Sequence, residues 1–162
     1  MATENLTMDK FETTIENNDI VLIDFWAEWC GPCKMFGPIF EKASEKHADV
    51  VFTKCNTEEE QDLAGNFGIQ SIPTLAVFRE KILLFMQPGS LPEAALEDII
   101  TRIKGLDMQE VRTRFLFLPS TPDIVRVATL QLEKRYWVAF LLSSSGLHFS
   151  FFTLIYPNSL KS

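Results

Sequence analysis

Apolar residues fall in short blocks along the first two thirds of this chain, and their spacing predicts alternating helices and strands. Phe11 and Ile15 stand at i, i+4 after Thr7, a residue type that caps helix N-termini, and Asn17-Asn18-Asp19 supplies turn chemistry at the other end. From Ile20 to Trp26 every position is apolar except Asp24, the signature of a strand buried on both faces. Phe36, Ile39, Phe40 and Ala43 form a helical stripe between about Cys33 and Lys46, inside which Pro38 predicts a kink. Val50–Asn56 reads as a second central strand. Thr57 and Glu60 have capping-box spacing for a short helix ending near Gly65–Gly68.

Thr74–Phe78 and Ile82–Met86 read as a strand pair joined by Arg79-Glu80-Lys81, and Pro88-Gly89 breaks the chain. A last amphipathic helix spans about Pro92 to Lys104, with Leu96, Ile99, Ile100 and Ile103 inward and Gly105 at its end. Asp107–Arg114 reads as a short helical continuation. Strand–helix–strand early and a hairpin late predict an α/β fold with a central mixed β-sheet flanked by helices.

Composition adds little to this picture, but charge and cysteine use change it. The 162 residues suffice for one domain and an extension. Net charge is −7 but uneven: residues 1–105 carry 9 Lys/Arg against 18 Asp/Glu, and residues 106–162 carry 6 against 4. The acidic part argues against nucleic acid as a partner. Three cysteines exclude a complete disulfide framework within one chain and fit a reducing compartment with a catalytic pair. The polar, acidic N-terminus has no basic or apolar signal region, which predicts no secretory leader.

The candidate chemistry lies in Trp29-Cys30-Gly31-Pro32-Cys33. Two cysteines at this spacing can close a disulfide, and one sulfur falls at a helix N-terminus, where the macrodipole favours its thiolate. Such a thiolate attacks a substrate disulfide, and the second cysteine resolves the mixed disulfide. Cys30 is the candidate nucleophile. Gly31 is expected to supply the sharp bend into the helix, and Pro32 fits a first turn where its missing N–H costs nothing. Cys33, one turn in, is the candidate resolving thiol and is expected to be the more buried. Asp24, set among Ile23, Phe25 and Trp26, is the candidate proton acceptor, with a carboxyl pKa raised by desolvation.

A C-x-x-C pair is also half a zinc site, and Cys30, Cys33, His47 and Cys55 can be written as a ligand set. Their spacing matches no recognised finger pattern. Cys55 reads better as a core thiol, His47 as a helix C-terminal residue, and Glu58-Glu59-Glu60 as a solvated helix start.

The run Val21–Lys34 resembles the active-site segment of thioredoxins at nearly every position, and the resemblance covers about residues 6–105. It implies a thioredoxin fold whose first strand is missing or very short here. Ser71-Ile72-Pro73-Thr74 resembles the family's cis-proline loop. By resemblance, Trp29, Gly31, Pro32, Ile72, Pro73 and Gly89 form the substrate-binding surface, and Lys54 matches a lysine beside the buried aspartate. The implied activity is protein-disulfide reduction by a monomer with no bound cofactor. Its redox centre is a Cys30–Cys33 disulfide, re-reduced by a thioredoxin-reductase-type electron donor, and its setting is cytoplasmic. The alternative is a thioredoxin-fold binding or scaffold module that attaches to a membrane or partner through its tail. The hairpin turn lacks the glycine that the family often places there.

The resemblance stops after Arg114, so the expected domains are 1–114 and an apolar extension, 115–162. Within the extension, Tyr136–Tyr156 is 21 residues without Asp, Glu, Lys or Arg, flanked by Lys134-Arg135 and ended by aromatics. That suits a membrane anchor, although Ser143-Ser144-Ser145-Gly146 and His148 interrupt it. The other two readings are an extra packed or partner-binding element and an unselected, disordered extension.

Overall fold

The computed structural model describes residues 3–116. The extension from residue 117 onward, including the candidate membrane segment 136–156, lies outside the described residues. Among the described residues no helix is long and apolar enough to cross a membrane.

The chain runs β1 (Glu4–Asn5), α1 (Met8–Asn17), β2 (Ile20–Trp26), α2 (Gly31–Lys46), β3 (Val51–Asn56), α3 (Gln61–Asn66), β4 (Thr74–Arg79), β5 (Ile82–Pro88), α4 (Glu93–Lys104) and α5 (Met108–Leu116). The strands form one sheet in the order β1-β3-β2-β4-β5. β2 lies parallel to β3 and antiparallel to β4, so the sheet is mixed, as its sequence pattern predicts. The family's first strand is present but only two residues long, parallel to β3 at the sheet edge.

Side-chain alternation along β2 divides the core. Leu22 faces one layer with Phe36 and Phe40 of α2, Leu96, Ile100 and Ile103 of α4, and Met108 and Val111 of α5. Val21, Ile23 and Phe25 face the other, with Ile15 of α1 and Leu63 of α3. With helices on both faces, β2 has no solvent side, hence its nearly unbroken apolar run. Every inward residue expected of α4 is buried. α5 completes the first layer, and its N-terminus is capped by Asp107, whose Oδ1 accepts from Gln109 N at 2.9 Å and Glu110 N at 3.3 Å.

Three local expectations are corrected. The helix after β3 starts at Gln61, not after Thr57, and the capping box does not form. Thr57 instead donates from N and Oγ1 to the Trp26 carbonyl, and the Glu60 carboxylate accepts from Met8 N at 2.9 Å. Partners distant in sequence outcompete the local motif. α2 begins two residues earlier than expected, at Gly31, and Pro38 lies inside it. The hairpin turn is Glu80-Lys81, with φ of 49° and 68°; both non-glycine residues take the left-handed conformation that a two-residue hairpin loop requires.

Candidate active site

Strand β2 ends at Trp26, and helix α2 begins within the Cys-Gly-Pro-Cys segment, at Gly31, which places both cysteines at a helix N-terminus. Cys30 is the N-cap residue of α2, and its Sγ accepts from Cys33 N at 3.1 Å. A thiolate at that position faces a backbone donor and the positive end of the helix dipole. Cys30 and Cys33 are joined by a disulfide with an S–S distance of 2.05 Å. The expected difference in burial is absent: Cys30 is 3% and Cys33 4% exposed. Exposure does not distinguish the two residues; their positions on the helix do.

Gly31 is corrected as well. Its φ is not positive, so the bend is not its contribution; the extended Cys30 cap, at φ −78° and ψ 106°, turns the chain. A Cβ at Gly31 would meet nothing within 4 Å, so its missing side chain leaves open surface beside the disulfide. Gly31, Pro32 and Trp29 are all exposed, Trp29 at 69%. The Trp29 indole Nε1 donates to Glu58 Oε1 at 2.9 Å.

The cis-proline loop comes to the same end of the sheet. The Ile72–Pro73 peptide is cis, Ile72 is half-buried and Pro73 buried. Gly89 N donates to the Pro73 carbonyl at 2.7 Å, which ties the two loops together. Gly89 has φ +104°, a conformation that requires glycine.

Asp24 lies inside the sheet with no exposed surface, and neither carboxylate oxygen has a hydrogen-bond partner among the described residues. Burial pushes its pKa up to about 7, against a smaller lowering by the Lys54 charge. Lys54 is Asp24's register partner on β3. Its side chain is only 17% exposed, and Nζ lies 5.0 Å over the Trp26 ring. The same ammonium pairs with Glu41 Oε1 at 3.4 Å.

The zinc alternative does not assemble. Cys55 is fully buried in the α1/α3 layer, and burial, with smaller effects of Glu60 and Asp24, raises its thiol pKa to about 12. His47 caps the far end of α2, where its Nε2 lies 2.7 Å from Glu97 Oε2 and its Nδ1 lies 3.1 Å from Lys104 Nζ. An ammonium only donates, so Nδ1 accepts and Nε2–H donates to Glu97. Among the described residues no group of three or more His, Cys, Asp or Glu is placed to hold a metal ion.

Two neighbours of the site, Glu58 and Glu41, escape a reading of the sequence. Glu58 meets Trp29 across 29 residues and Glu41 meets Lys54 across 13, and no local spacing rule signals either contact.

The family model described as Thioredoxin matches residues 2–102. A protein called putative thioredoxin 2 from Streptomyces coelicolor is 57% identical over 111 residues, covering 68% of this chain and 83% of that protein. A thioredoxin from Alicyclobacillus acidocaldarius is 43% identical over 61% of this chain and 99% of its own. Among solved structures, the oxidised form of mitochondrial thioredoxin 3 from Saccharomyces cerevisiae superposes with a TM-score of 0.58 at 35% identity, over 62% of this chain and 94% of that one. A mutant thioredoxin from Halobacterium salinarum gives 0.62 at 32% identity, over 65% of this chain and 94% of that one.

Proposed function

The chain belongs to the thioredoxin family and is a thiol–disulfide oxidoreductase, a protein-disulfide reductase, and from that premise we propose how its residues divide the work. The observation that carries the proposal is the placement of the Cys30 sulfur at the N-cap of α2, with Asp24 buried and without a hydrogen-bond partner among the described residues on the strand that leads into it.

In the reduced protein the Cys30 thiolate attacks one sulfur of a substrate disulfide. A Cys30–substrate bond forms, the substrate S–S bond breaks, and the departing thiolate takes a proton. Cys33 then loses its proton to Asp24 and attacks Cys30 Sγ. The Cys30–Cys33 bond forms and the second substrate sulfur leaves, so the substrate is reduced by two electrons and the protein oxidised by two. A carboxyl group with a pKa near 7 accepts that proton at neutral pH. Trp29, Gly31, Pro32, Ile72, Pro73 and Gly89 receive the polypeptide that carries the disulfide, and the loop backbone pairs with it as an added strand.

No cofactor takes part in this exchange. A thioredoxin-reductase-type donor returns electrons to the oxidised form. The protein acts as a monomer, and the sparing use of cysteine supports a cytoplasmic setting.

The test is trapping. Cys33→Ser protein mixed with a disulfide-bonded substrate should accumulate a mixed disulfide at Cys30, read by non-reducing electrophoresis and peptide mass spectrometry. Cys30→Ser should accumulate none. A stable adduct at Cys55, or none in either variant, would refute the assignment.

A further inference from the structure

Lys54 is in a position to meet Asp24 and does not. The two are register partners on adjacent parallel strands, so their side chains rise from one face of the sheet, beneath α2. A four-carbon stem ending in three donors is long enough to satisfy a neighbouring carboxylate. Yet both Asp24 oxygens lack a hydrogen-bond partner among the described residues, and the ammonium is turned toward α2. There it lies 3.4 Å from Glu41 Oε1 and over the face of Trp26, in space that Gly37 leaves open: a Cβ on Gly37 would stand 3.7 Å from Nζ.

We propose that Glu41 is a positioning residue that holds the Lys54 ammonium away from Asp24 and so sets the pH at which Asp24 takes up the Cys33 proton. This rests on the reading of Asp24 as the proton acceptor.

The Lys54 end of the pair is shielded and the Glu41 carboxylate is 56% exposed, so the pair contributes little to stability; its effect is on where one charge sits. Among the described residues the charged or titratable groups facing Asp24 are few. Lys54 lowers its pKa, Glu41 reaches it through Lys54, Cys33 lies at the start of α2, and Cys55 on β3 responds to the Asp24 charge. The β4 register neighbour is Leu75, which carries no charge. Released from Glu41, Lys54 stabilises the Asp24 carboxylate more strongly, and the carboxyl pKa falls.

Carboxyl-carbon NMR titration of the oxidised full chain tests this without reference to activity. Glu41→Gln should lower the Asp24 midpoint by about half to one pH unit, and Lys54→Met should raise it. Adding Glu41→Gln to Lys54→Met should produce no further shift. An unchanged or raised midpoint in Glu41→Gln overturns the proposal. So does an equal shift in both backgrounds, because Glu41 would then act through its own field and not by placing Lys54. The pH limb of mixed-disulfide resolution should move with the NMR midpoint. If the midpoint moves and the limb does not, the role of Glu41 stands and Asp24 is not the proton acceptor.

Discussion

A fully buried carboxyl group with no hydrogen-bond partner among the described residues makes folding stability depend on pH in an unusual direction. The usual paired carboxylate has a folded pKa below its unfolded value and stabilises the protein above it. Asp24 has a folded pKa of about 7 against an unfolded 3.8. Below 3.8 both states are protonated and Asp24 contributes no pH dependence. Between 3.8 and 7 the unfolded chain releases the proton and the folded chain keeps it, so stability falls as pH rises; above 7 both are ionised and the loss is complete. Three pKa units correspond to about 4 kcal/mol. That is a large fraction of the roughly 5–15 kcal/mol that holds a typical domain folded. Asp24→Asn removes the titration and leaves an uncharged amide of similar shape, whose own burial costs about 1–3 kcal/mol. Urea unfolding of the oxidised protein at pH 4, 6 and 8 should show the variant gaining on the native protein step by step, by about 4 kcal/mol relative to its difference at pH 4. A gap that stays constant with pH, or one that favours the native protein more as pH rises, would show that the Asp24 carboxyl is not held protonated by burial.

The hairpin turn and α5 each carry a further expected outcome. Lys81 has φ 68° and a 3.9 Å contact with Glu16, so Lys81→Gly should relieve the left-handed penalty. Set against the freedom glycine adds to the unfolded chain, the net gain is about 0.5–1 kcal/mol in chemical denaturation, with unchanged insulin reduction; a loss of stability would show that the turn depends on the lysine side chain. Residues 1–114 should fold and reduce disulfides at the rate of the full chain, whereas 1–106 should lose about 4 kcal/mol, because Met108 and Val111 bury roughly 2 kcal/mol of apolar surface each. Equal stability of the two truncations would show that α5 is not part of the core.

What the sequence makes legible is whatever a short-range pattern encodes. The period of Leu96, Ile99, Ile100 and Ile103 predicts the buried face of α4, and the isolated acid in Ile20–Trp26 predicts a buried Asp24, because in each case the cause and its consequence lie within one element. The errors share the opposite property. Thr57 and Glu60 satisfy a local capping rule, yet each bonds to a distant segment, because a hydrogen bond made across the fold satisfies the same polar atoms as one made within a turn. A glycine between strand and helix predicts a bend at Gly31 because bends favour glycine; the structure places the bend at Cys30 and leaves Gly31 as open surface.

The site divides along the same line. The residues that do the chemistry are legible because their types are rare and their spacing is covalent. The groups that contact the neighbouring tryptophan and lysine are not, because Glu58 reaches Trp29, and Glu41 reaches Lys54, only after β3 has been laid beside β2. A glutamate in an acidic chain carries no signal of its own: 22 Asp and Glu residues are present, and only the fold selects the two that touch the redox site's tryptophan and lysine. The tuning of this centre is therefore a tertiary property. On the role proposed for Glu41, two chains with the same Trp-Cys-Gly-Pro-Cys segment that differ at this position of α2 should differ in the pH at which they resolve a mixed disulfide.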